Sequence, residues 1–308
     1  MDRQVIAVGD VNVDILLTGL GGLPRFEQEI VAEGLAIVVG GQTGTLARAL
    51  ARLGSPVTFV GRVGDDAYGR MAVEQLIRDG VDAVVRRDSD VRTGVTVVLA
   101  SGPQRAYVTY LGSIAGLRRS DVPPGLLGGA QHLHVGSYYL LHALRPDLPG
   151  LFAEAQRVGL TTSLDPGWDP SGQWSPGIFN ALCHVDVFLP NEAEALAMTG
   201  TTSVHEALTI LSEHAGTVVI KRGSRGCLAV NRQGSVSLPA FEVEVVDVTS
   251  AGDAFNAGFL YGFLSGWDLE TAACFASACG AIAVTRVGSA GLAASAAEVE
   301  AFLMSRAT

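Results

Sequence analysis

The sequence predicts an α/β fold in which helices flank a mainly parallel central sheet, with a small additional β-sheet at one end. Short β-branched runs alternate with helical patterns along almost all of the 308 residues, and this alternation is typical of βαβ units. Two segments, 11–39 and 92–111, contain strand-like stretches with no helix between them. We interpret residues 1–308 as one domain and these segments as antiparallel excursions that form the small sheet.

The elements of the central layer follow from the apolar pattern. Six short apolar runs are predicted to be buried strands: 5–9, 58–64, 132–136, 161–165, 185–190 and 218–223. Periodic apolar positions predict eight helices: 45–53, 67–79, 148–158, 192–198, 204–214, 253–264, 269–285 and 297–304.

Composition excludes several classes of protein. A net charge of −10 argues against nucleic acid or an anionic membrane surface as the main partner. The longest nearly apolar run, TAACFASACGAIAV, is too short to span a bilayer. The N-terminal residues do not resemble a signal peptide, and the four cysteines form no CxxC pair, so we expect a cytoplasmic protein. No P-loop and no strand followed by GxGxxG is present.

The stretch DVTSAGDAFNAGF, residues 247–259, carries the strongest chemical signal. Ser250, Ala251 and Gly252 are small enough for a phosphate to approach the backbone at the start of a helix, where free N–H groups and the helix dipole favour an anion. Asp253 could accept a proton from a hydroxyl that attacks the phosphoryl group. The alternative is that Asp253 only caps a core helix.

Two further motifs follow predicted strands and suit a nucleotide. In PNEAEA, Asn191 and Glu194 are three residues apart, a spacing that suits Mg²⁺ held through water and substrate phosphates. The alternative for this pair is an N-terminal capping box. Lys221, the only lysine beside 20 arginines, adjoins a glycine turn where its charge could meet a nucleotide phosphate; the alternative is a solvated turn lysine.

Two motifs near the N-terminus suit a substrate that carries hydroxyl groups. In GDVNVD, Asn12 and Asp14 alternate onto one side of a strand, where they could bind paired hydroxyls or simply be exposed polar positions. Gly40 and Gly41 follow a strand and lead into the helix predicted from Thr45, so another group could approach the backbone there. A plain strand–turn–helix junction is the alternative.

Taken together, these motifs occupy strand ends and helix starts, and ligands of open parallel sheets bind at the carboxyl ends of the strands. Their order along the chain resembles that of the ribokinase/PfkB family of carbohydrate kinases. The order is GDxNxD, a glycine pair, GxVGDDxxG at 61–69, NxxE, KxGxxG and AGD. The resemblance covers essentially the whole chain and implies a ribokinase-like fold with a small β-sheet lid formed by segments 11–39 and 92–111.

The resemblance also implies roles for individual residues. Asp253 is expected to be the catalytic base, beside an anion hole at Ser250, Ala251 and Gly252. The nucleotide site is expected at Asn191, Lys221, Gly223 and Gly226, with Asn191 and Glu194 linked to Mg²⁺. The sugar hydroxyls are expected at Asn12, Asp14, Gly40 and Gly41. Asp247 and Thr249 correspond to positions that hold a monovalent cation, K⁺, in several relatives.

Some positions depart from the family pattern and loosen the assignment of the acceptor. Thr45 stands where relatives commonly have an asparagine that touches the sugar. The segment after Asp165, PGWDPSGQW, lacks the arginine or lysine that would favour an already phosphorylated sugar. Trp168, Tyr107 and Tyr138 are candidate aromatic walls of the acceptor pocket, with core or lid packing as the alternative for the tyrosines.

We therefore expect an ATP-dependent kinase that phosphorylates a hydroxymethyl group of a sugar-like acceptor and uses Mg²⁺. A nucleoside kinase of the same fold is one alternative, since Trp168 could stack on a base. A non-catalytic sensor of sugar or nucleotide is another. Pairing of two copies through their lids is left open.

Overall fold

The computed structural model describes residues 4–102, 104–174, 177–286 and 294–306, and these residues form two β-sheets. The strands of the larger sheet are β1 (Val5–Val8), β4 (Val57–Gly64), β5 (Asp82–Asp88), β8 (His132–Val135), β9 (Thr161–Leu164), β10 (Val187–Phe188), β11 (Thr217–Lys221), β12 (Cys227–Asn231) and β13 (Gly234–Leu238). The strands of the smaller sheet are β2 (Asn12–Thr18), β3 (Gly34–Gly40), β6 (Val95–Ser101) and β7 (Gln104–Tyr110).

The larger sheet has the order β13-β12-β11-β10-β9-β8-β1-β4-β5 and is mainly parallel, as predicted. Seven neighbouring strands, from β11 to β5, run parallel, and the β12–β13 hairpin adds two antiparallel strands at one edge. Neither this hairpin nor β5 was predicted. Both lie at sheet edges, where half-exposed strands do not show the continuous apolar runs of a buried strand.

The smaller sheet, which we call the lid, has the order β3-β2-β6-β7. The β2–β3 and β6–β7 pairs are antiparallel, but β2 and β6 run parallel to each other. Each segment is therefore an antiparallel excursion, as expected, whereas the parallel pairing of β2 with β6 was not predicted. The two halves of the lid come from separate parts of the chain, and local patterns do not specify the direction in which two distant strands pair.

Helices cover both faces of the larger sheet. They are α1 (Gln42–Arg52), α2 (Ala67–Arg78), α3 (Leu148–Arg157), α4 (Gly177–Leu182), α5 (Glu192–Thr199), α6 (Val204–Ser212), α7 (Ala251–Leu264), α8 (Leu269–Val284) and α9 (Ala296–Met304). Short 3₁₀ turns lie at Gly112–Gly116, Arg119–Asp121, Leu126–Gly129, Tyr138–Leu140, Arg145–Asp147 and Gly223–Arg225. Among the described residues, no helix is long and apolar enough to cross a membrane.

Each face of the sheet has its own apolar core. Val5 and Ala7 of β1 pack toward α1, α2, α7 and α8, whereas Ile6 and Val8 of the same strand pack toward α3, α4 and α6. Burial of both faces explains why β1 is apolar at every position.

Two helices begin earlier than predicted. Helix α1 starts at Gln42 and not at Thr45, because the Asp10 carboxylate accepts hydrogen bonds from the backbone N–H groups of Gln42 and Thr43. Helix α7 starts at Ala251 and not at Asp253. Asp10 lies between β1 and β2, far from α1 along the chain, so the pattern of the helix itself does not reveal this contact.

Candidate active site

The first turn of α7 presents Asp253 and free backbone donors together. Ser250 precedes the helix with a left-handed φ of 64° and makes no side-chain capping bond. The N–H groups of Gly252 and Asp253 lie in the first turn, where a helix offers no internal acceptor. Among the described residues, the Asp253 carboxylate accepts no hydrogen bond that caps this helix. The turn is therefore an anion-binding arrangement with a carboxylate beside it.

The surroundings of Asp253 disfavour its ionised form. Burial and the nearby Asp165 raise the pKa of the Asp253 carboxyl well above its ordinary value, and Lys221 acts in the opposite direction. A carboxyl whose pKa is raised takes up a proton more readily.

A cleft of about 650 Å³ opens in front of this turn. Eight of the predicted site residues line it: Asn191, Glu194, Lys221, Gly223, Gly226, Ala251, Gly252 and Asp253. One wall is apolar and includes Phe241, Val243, Val245, Ala281 and Val284. A cleft that combines apolar lining residues with an anion hole suits a nucleotide.

Asn191 and Glu194 form the capping box that was the alternative explanation. The Asn191 side chain accepts from the Glu194 N–H at 2.9 Å, and the Glu194 carboxylate accepts from the Asn191 N–H at 2.8 Å. Burial and Asp165 raise the pKa of Glu194 to about 7. Both residues also line the cleft. Capping and a role at the cleft are thus compatible.

Lys221 lies inside the cleft and not on a solvated turn. Its Nζ is 2.6 Å from Asp165 Oδ2 and 3.1 Å from Asn256 Oδ1. Asp165 is fully buried at the end of β9, and although burial opposes it, the Lys221 charge keeps the pKa of Asp165 below its ordinary value. No role for Asp165 or Asn256 was predicted from the sequence. Their signals were a carboxylate at the end of a parallel strand and an amide one turn after Asp253.

A second polar group lies at the base of the lid. Asn12 Nδ2 donates to Asp14 Oδ1 at 2.9 Å and to Thr96 Oγ1 at 2.8 Å. Asn12 Oδ1 is buried and has no hydrogen-bond partner among the described residues. Burial raises the pKa of Asp14 to about 6. A β carbon on Gly40 would lie 2.1 Å from Asp14 Oδ2, so any larger residue there would displace the Asp14 carboxylate. This cluster offers hydrogen-bond acceptors, and its role in binding substrate hydroxyl groups stays a prediction.

Gly41 joins the lid to α1 with a φ of 90°, and a β carbon there would lie 2.7 Å from Val11 Cα. The next residue, Gln42, lines the cleft, and its Oε1 accepts from the Ser137 N–H at 2.6 Å. Gln42 was not predicted as a site residue. Its position directly after the glycine pair was the available signal.

The remaining residues that were predicted to contact the acceptor substrate lie outside the lining of the cleft. Thr45 is buried in α1, one turn after Gly41. Tyr107 is exposed on the lid strand β7. Tyr138 is buried, with Tyr139 at 5.1 Å between ring centroids, and Trp168 is half exposed, with Trp174 at 4.9 Å. Their roles as acceptor contacts stay predictions.

The predicted cation pair precedes α7. Asp247 Oδ1 accepts from the Thr249 N–H at 3.0 Å and from Thr249 Oγ1 at 2.7 Å. Arg105 of the lid approaches the same carboxylate, with Nη2 at 3.9 Å. The lid therefore contacts the loop that leads into the anion hole.

Relatives with known names share this architecture. The chain is 32% identical to an ATP-dependent ribose-1-phosphate kinase of Halopiger xanaduensis, over 98% of this chain and 99% of the relative. It is 27% identical to a ribokinase of Haemophilus influenzae, over 94% of each chain. The solved structure of Arabidopsis thaliana ribokinase complexed with ribose and ATP superposes with a TM-score of 0.85 at 25% identity, over 98% of this chain and 99% of that one.

The sequence model described as pfkB family carbohydrate kinase matches residues 2–295. This match covers the lid, the cleft and the Asp253 turn. The chain therefore belongs to the pfkB family of carbohydrate kinases, which transfer a phosphoryl group to an alcohol.

Proposed function

We propose that this protein transfers the γ-phosphoryl group of ATP to a hydroxymethyl group of a sugar-like acceptor, with Asp253 as the general base. The observation that carries the proposal is the first turn of α7. It places a carboxyl of raised pKa beside free backbone N–H groups, at the end of a cleft of nucleotide size.

The chemistry follows from this arrangement. The acceptor hydroxyl attacks the γ-phosphorus, the bond to the β-phosphate oxygen breaks, and Asp253 takes the hydroxyl proton. The transition state of such transfers is loose, so the proton moves late and little activation of the nucleophile is needed. The N–H groups of Gly252 and Asp253 stabilise charge on the transferring group, which is usually the larger contribution.

Mg²⁺ fits the cleft as an ion bound mainly through water and phosphates. Among the described residues, no group of three or more His, Cys, Asp or Glu side chains forms a metal cage. Mg²⁺ commonly keeps several waters and needs few protein ligands. Asn191 and Glu194 would hold it through water, and the ion would neutralise phosphate charge.

The acceptor is proposed to lie between the Asn12–Asp14 cluster and Asp253, with the lid excluding water. Within the segment after Asp165, no basic side chain favours an acceptor that is already phosphorylated. The named Halopiger relative nevertheless acts on ribose 1-phosphate. Ribose, fructose, ribose 1-phosphate and nucleosides should be compared by release of ADP in the presence of ATP and Mg²⁺.

Replacement of Asp253 by Asn tests the mechanism. Turnover should fall by about 10²–10⁴-fold, the range expected for loss of a general base. A variant of another helix-initial acid, Asp268→Asn in the cap of α8, should keep native turnover. Native turnover in Asp253→Asn would remove Asp253 from the mechanism. Binding of acceptor and ATP without release of ADP by the native protein would instead support the sensor alternative.

A monovalent cation at Asp247 and Thr249 is a further part of the proposal. It is supported by the position of these residues at the entry to the anion hole. Activity in potassium chloride should exceed activity in tetramethylammonium chloride at equal ionic strength. Equal activity in both salts would exclude a required potassium ion.

We also propose that two copies pair through the outer face of the lid. Leu35, Ile37, Val108 and Tyr110 share this face, and their side chains are 66%, 44%, 62% and 54% exposed. A monomer rarely exposes a contiguous apolar patch of this kind. A flat sheet face can meet its own copy about a twofold axis, which makes a second copy the fitting occupant.

Sedimentation velocity tests this pairing. The native protein should sediment as a dimer at micromolar concentration, and Ile37→Glu combined with Val108→Glu should give a monomer. Val158→Glu changes a valine of similar exposure outside the lid and should leave the dimer intact. A monomeric native protein would contradict the proposal.

The whole chain, 1–308, is proposed to act as one kinase domain with its lid. We further propose that it works in the cytoplasm, where ATP is available and thiols stay reduced. Cys183, Cys227, Cys274 and Cys279 are all free thiols in the structure. Fractionation of cells that produce the protein would test the location.

A further inference from the structure

Lys221 is held by two buried side chains that also bind each other. Asp165 Oδ2 accepts from Lys221 Nζ at 2.6 Å and from Asn256 Nδ2 at 2.6 Å, while Asn256 Oδ1 accepts from Lys221 Nζ at 3.1 Å. Asp165 and Asn256 are both 0% exposed. The three groups therefore form a closed triangle of hydrogen bonds, which joins β9, β11 and α7.

The triangle leaves one donor of Lys221 available. An ammonium group has three N–H donors, and the contacts to Asp165 and Asn256 use two of them. Nζ would be 3.9 Å from a β carbon on Gly252, and Lys221 lines the same cleft as Gly252 and Asp253. The third N–H can therefore reach an oxygen of a phosphoryl group seated on the first turn of α7.

The tethers matter because a lysine side chain is flexible. A free ammonium on a four-carbon stem must lose its mobility each time it binds an anion. A charge already fixed where negative charge develops costs no reorganisation during the reaction. Asp165 also supplies a fixed counter-charge, and its backbone contact with the Gly167 N–H at 2.9 Å holds its own carboxylate in place.

We infer that Asp165 and Asn256 are positioning residues that hold the Lys221 ammonium at the anion hole, so that Lys221 stabilises the transferring phosphoryl group. This inference rests on the proposed kinase mechanism and deepens it. Lys221 touches the reacting group, whereas Asp165 and Asn256 act only through Lys221. Their removal should therefore lower kcat more than it changes the KM of either substrate.

A double-mutant cycle tests this dependence. Lys221→Met should lower kcat about 10²–10³-fold, as removal of one transition-state donor does. Asn256→Ala should lower kcat about tenfold, because a small misplacement of a catalytic group is costly, and both KM values should stay within about twofold. In the double variant, kcat should equal that of Lys221→Met alone, since residues that act as one unit are not additive.

The cycle has a matched control. Ser163 is buried on β9, two residues before Asp165, and bonds to His132 and His134 but not to Lys221. Ser163→Ala should lower stability and leave kcat unchanged. Asn256→Leu retains the volume of the side chain without its hydrogen bonds, and it replaces Asn256→Ala in the cycle if that variant does not fold.

Each outcome decides the inference. If the losses in kcat multiply in the double variant, Asn256 does not act through Lys221 and the inference is overturned. Native kcat in both Asn256 variants, or a change confined to KM, also overturns it. Failure of the proposed function would look different, because the native protein would then release no ADP with any acceptor, and Asp253→Asn would have no turnover to lose.

Discussion

Gly40 leaves the space that the Asp14 carboxylate occupies at the base of the lid. A β carbon at residue 40 would lie 2.1 Å from Asp14 Oδ2, and an ordinary contact begins at 3.4 Å. In Gly40→Ala the carboxylate must therefore retreat by about 1.3 Å. The backbone of Gly40 is not in the left-handed region, so the new methyl group acts by contact and not by backbone strain.

This displacement should weaken use of the acceptor. Asp14 loses its alignment with Asn12, and a misplacement of about 1 Å can cost about 10²-fold in rate. We expect kcat/KM for the acceptor to fall about 100-fold, which corresponds to about 2.7 kcal/mol of transition-state stabilisation. The KM for ATP should not change, because Gly40 does not line the nucleotide cleft. Steady-state kinetics with each substrate varied in turn measures both values.

Gly34→Ala is the matched control on the same strand. Its β carbon would lie 2.4 Å from Thr18 Oγ1, a comparable contact with the same neighbouring strand, but without a carboxylate. Gly34→Ala should keep native kcat/KM. If Gly40→Ala kept native kcat/KM for the acceptor, or if both variants lost it equally, the placement of the acceptor at Asp14 would be refuted.

Three further predictions concern pH and the nucleotide side. The raised pKa of Asp253 keeps this base protonated in acid, so kcat/KM should fall as the pH decreases. The fall should begin at a pH above the ordinary pKa of an aspartate; a value of kcat/KM that stays constant down to pH 5 contradicts this. Burial lowers the pKa of His132 to about 3 and of His134 to about 4, so the stability from neutral burial is complete above pH 6.5 and is lost as pH falls toward those values. Because each histidine is then protonated only in the unfolded protein, it should lower the free energy of unfolding by about 2 kcal/mol between pH 7 and pH 5. Carboxyls of raised pKa change stability in the opposite direction, so the native protein must be compared with His132→Asn. Denaturation at pH 7 and at pH 5 gives the free energy of unfolding of both proteins. If the difference between the two proteins does not change with pH, the prediction is contradicted. Gly226→Ala places a methyl group 1.9 Å from Leu238 O at a φ of 82°. This variant should raise the KM for ATP at least tenfold and lower the free energy of unfolding by about 2 kcal/mol. Gly234→Ala, with open space around residue 234, should change neither value.

The parallel sheet and the location of the site could be predicted from local patterns. Apolar runs followed by helices require parallel strands buried on both faces, and the carboxyl ends of such strands meet at one edge. Motifs at successive strand ends, such as Lys221 at the end of β11 and Asn191 after β10, therefore had to lie near one another. The parallel pairing of β2 with β6 and the hairpin β12–β13 were not predicted, because edge strands and distant pairings have weak local signals.

By itself, the sequence determined which residue types stand at the strand ends and in which order, and this was enough to indicate phosphoryl transfer. Only the tertiary structure decided how those side chains pair. Lys221 meets Asp165, 56 residues away, and Asn12 meets Thr96, 84 residues away. Such contacts depend on strand register and on the position of the lid over the sheet. Both arise from packing between distant segments, which a local pattern does not encode.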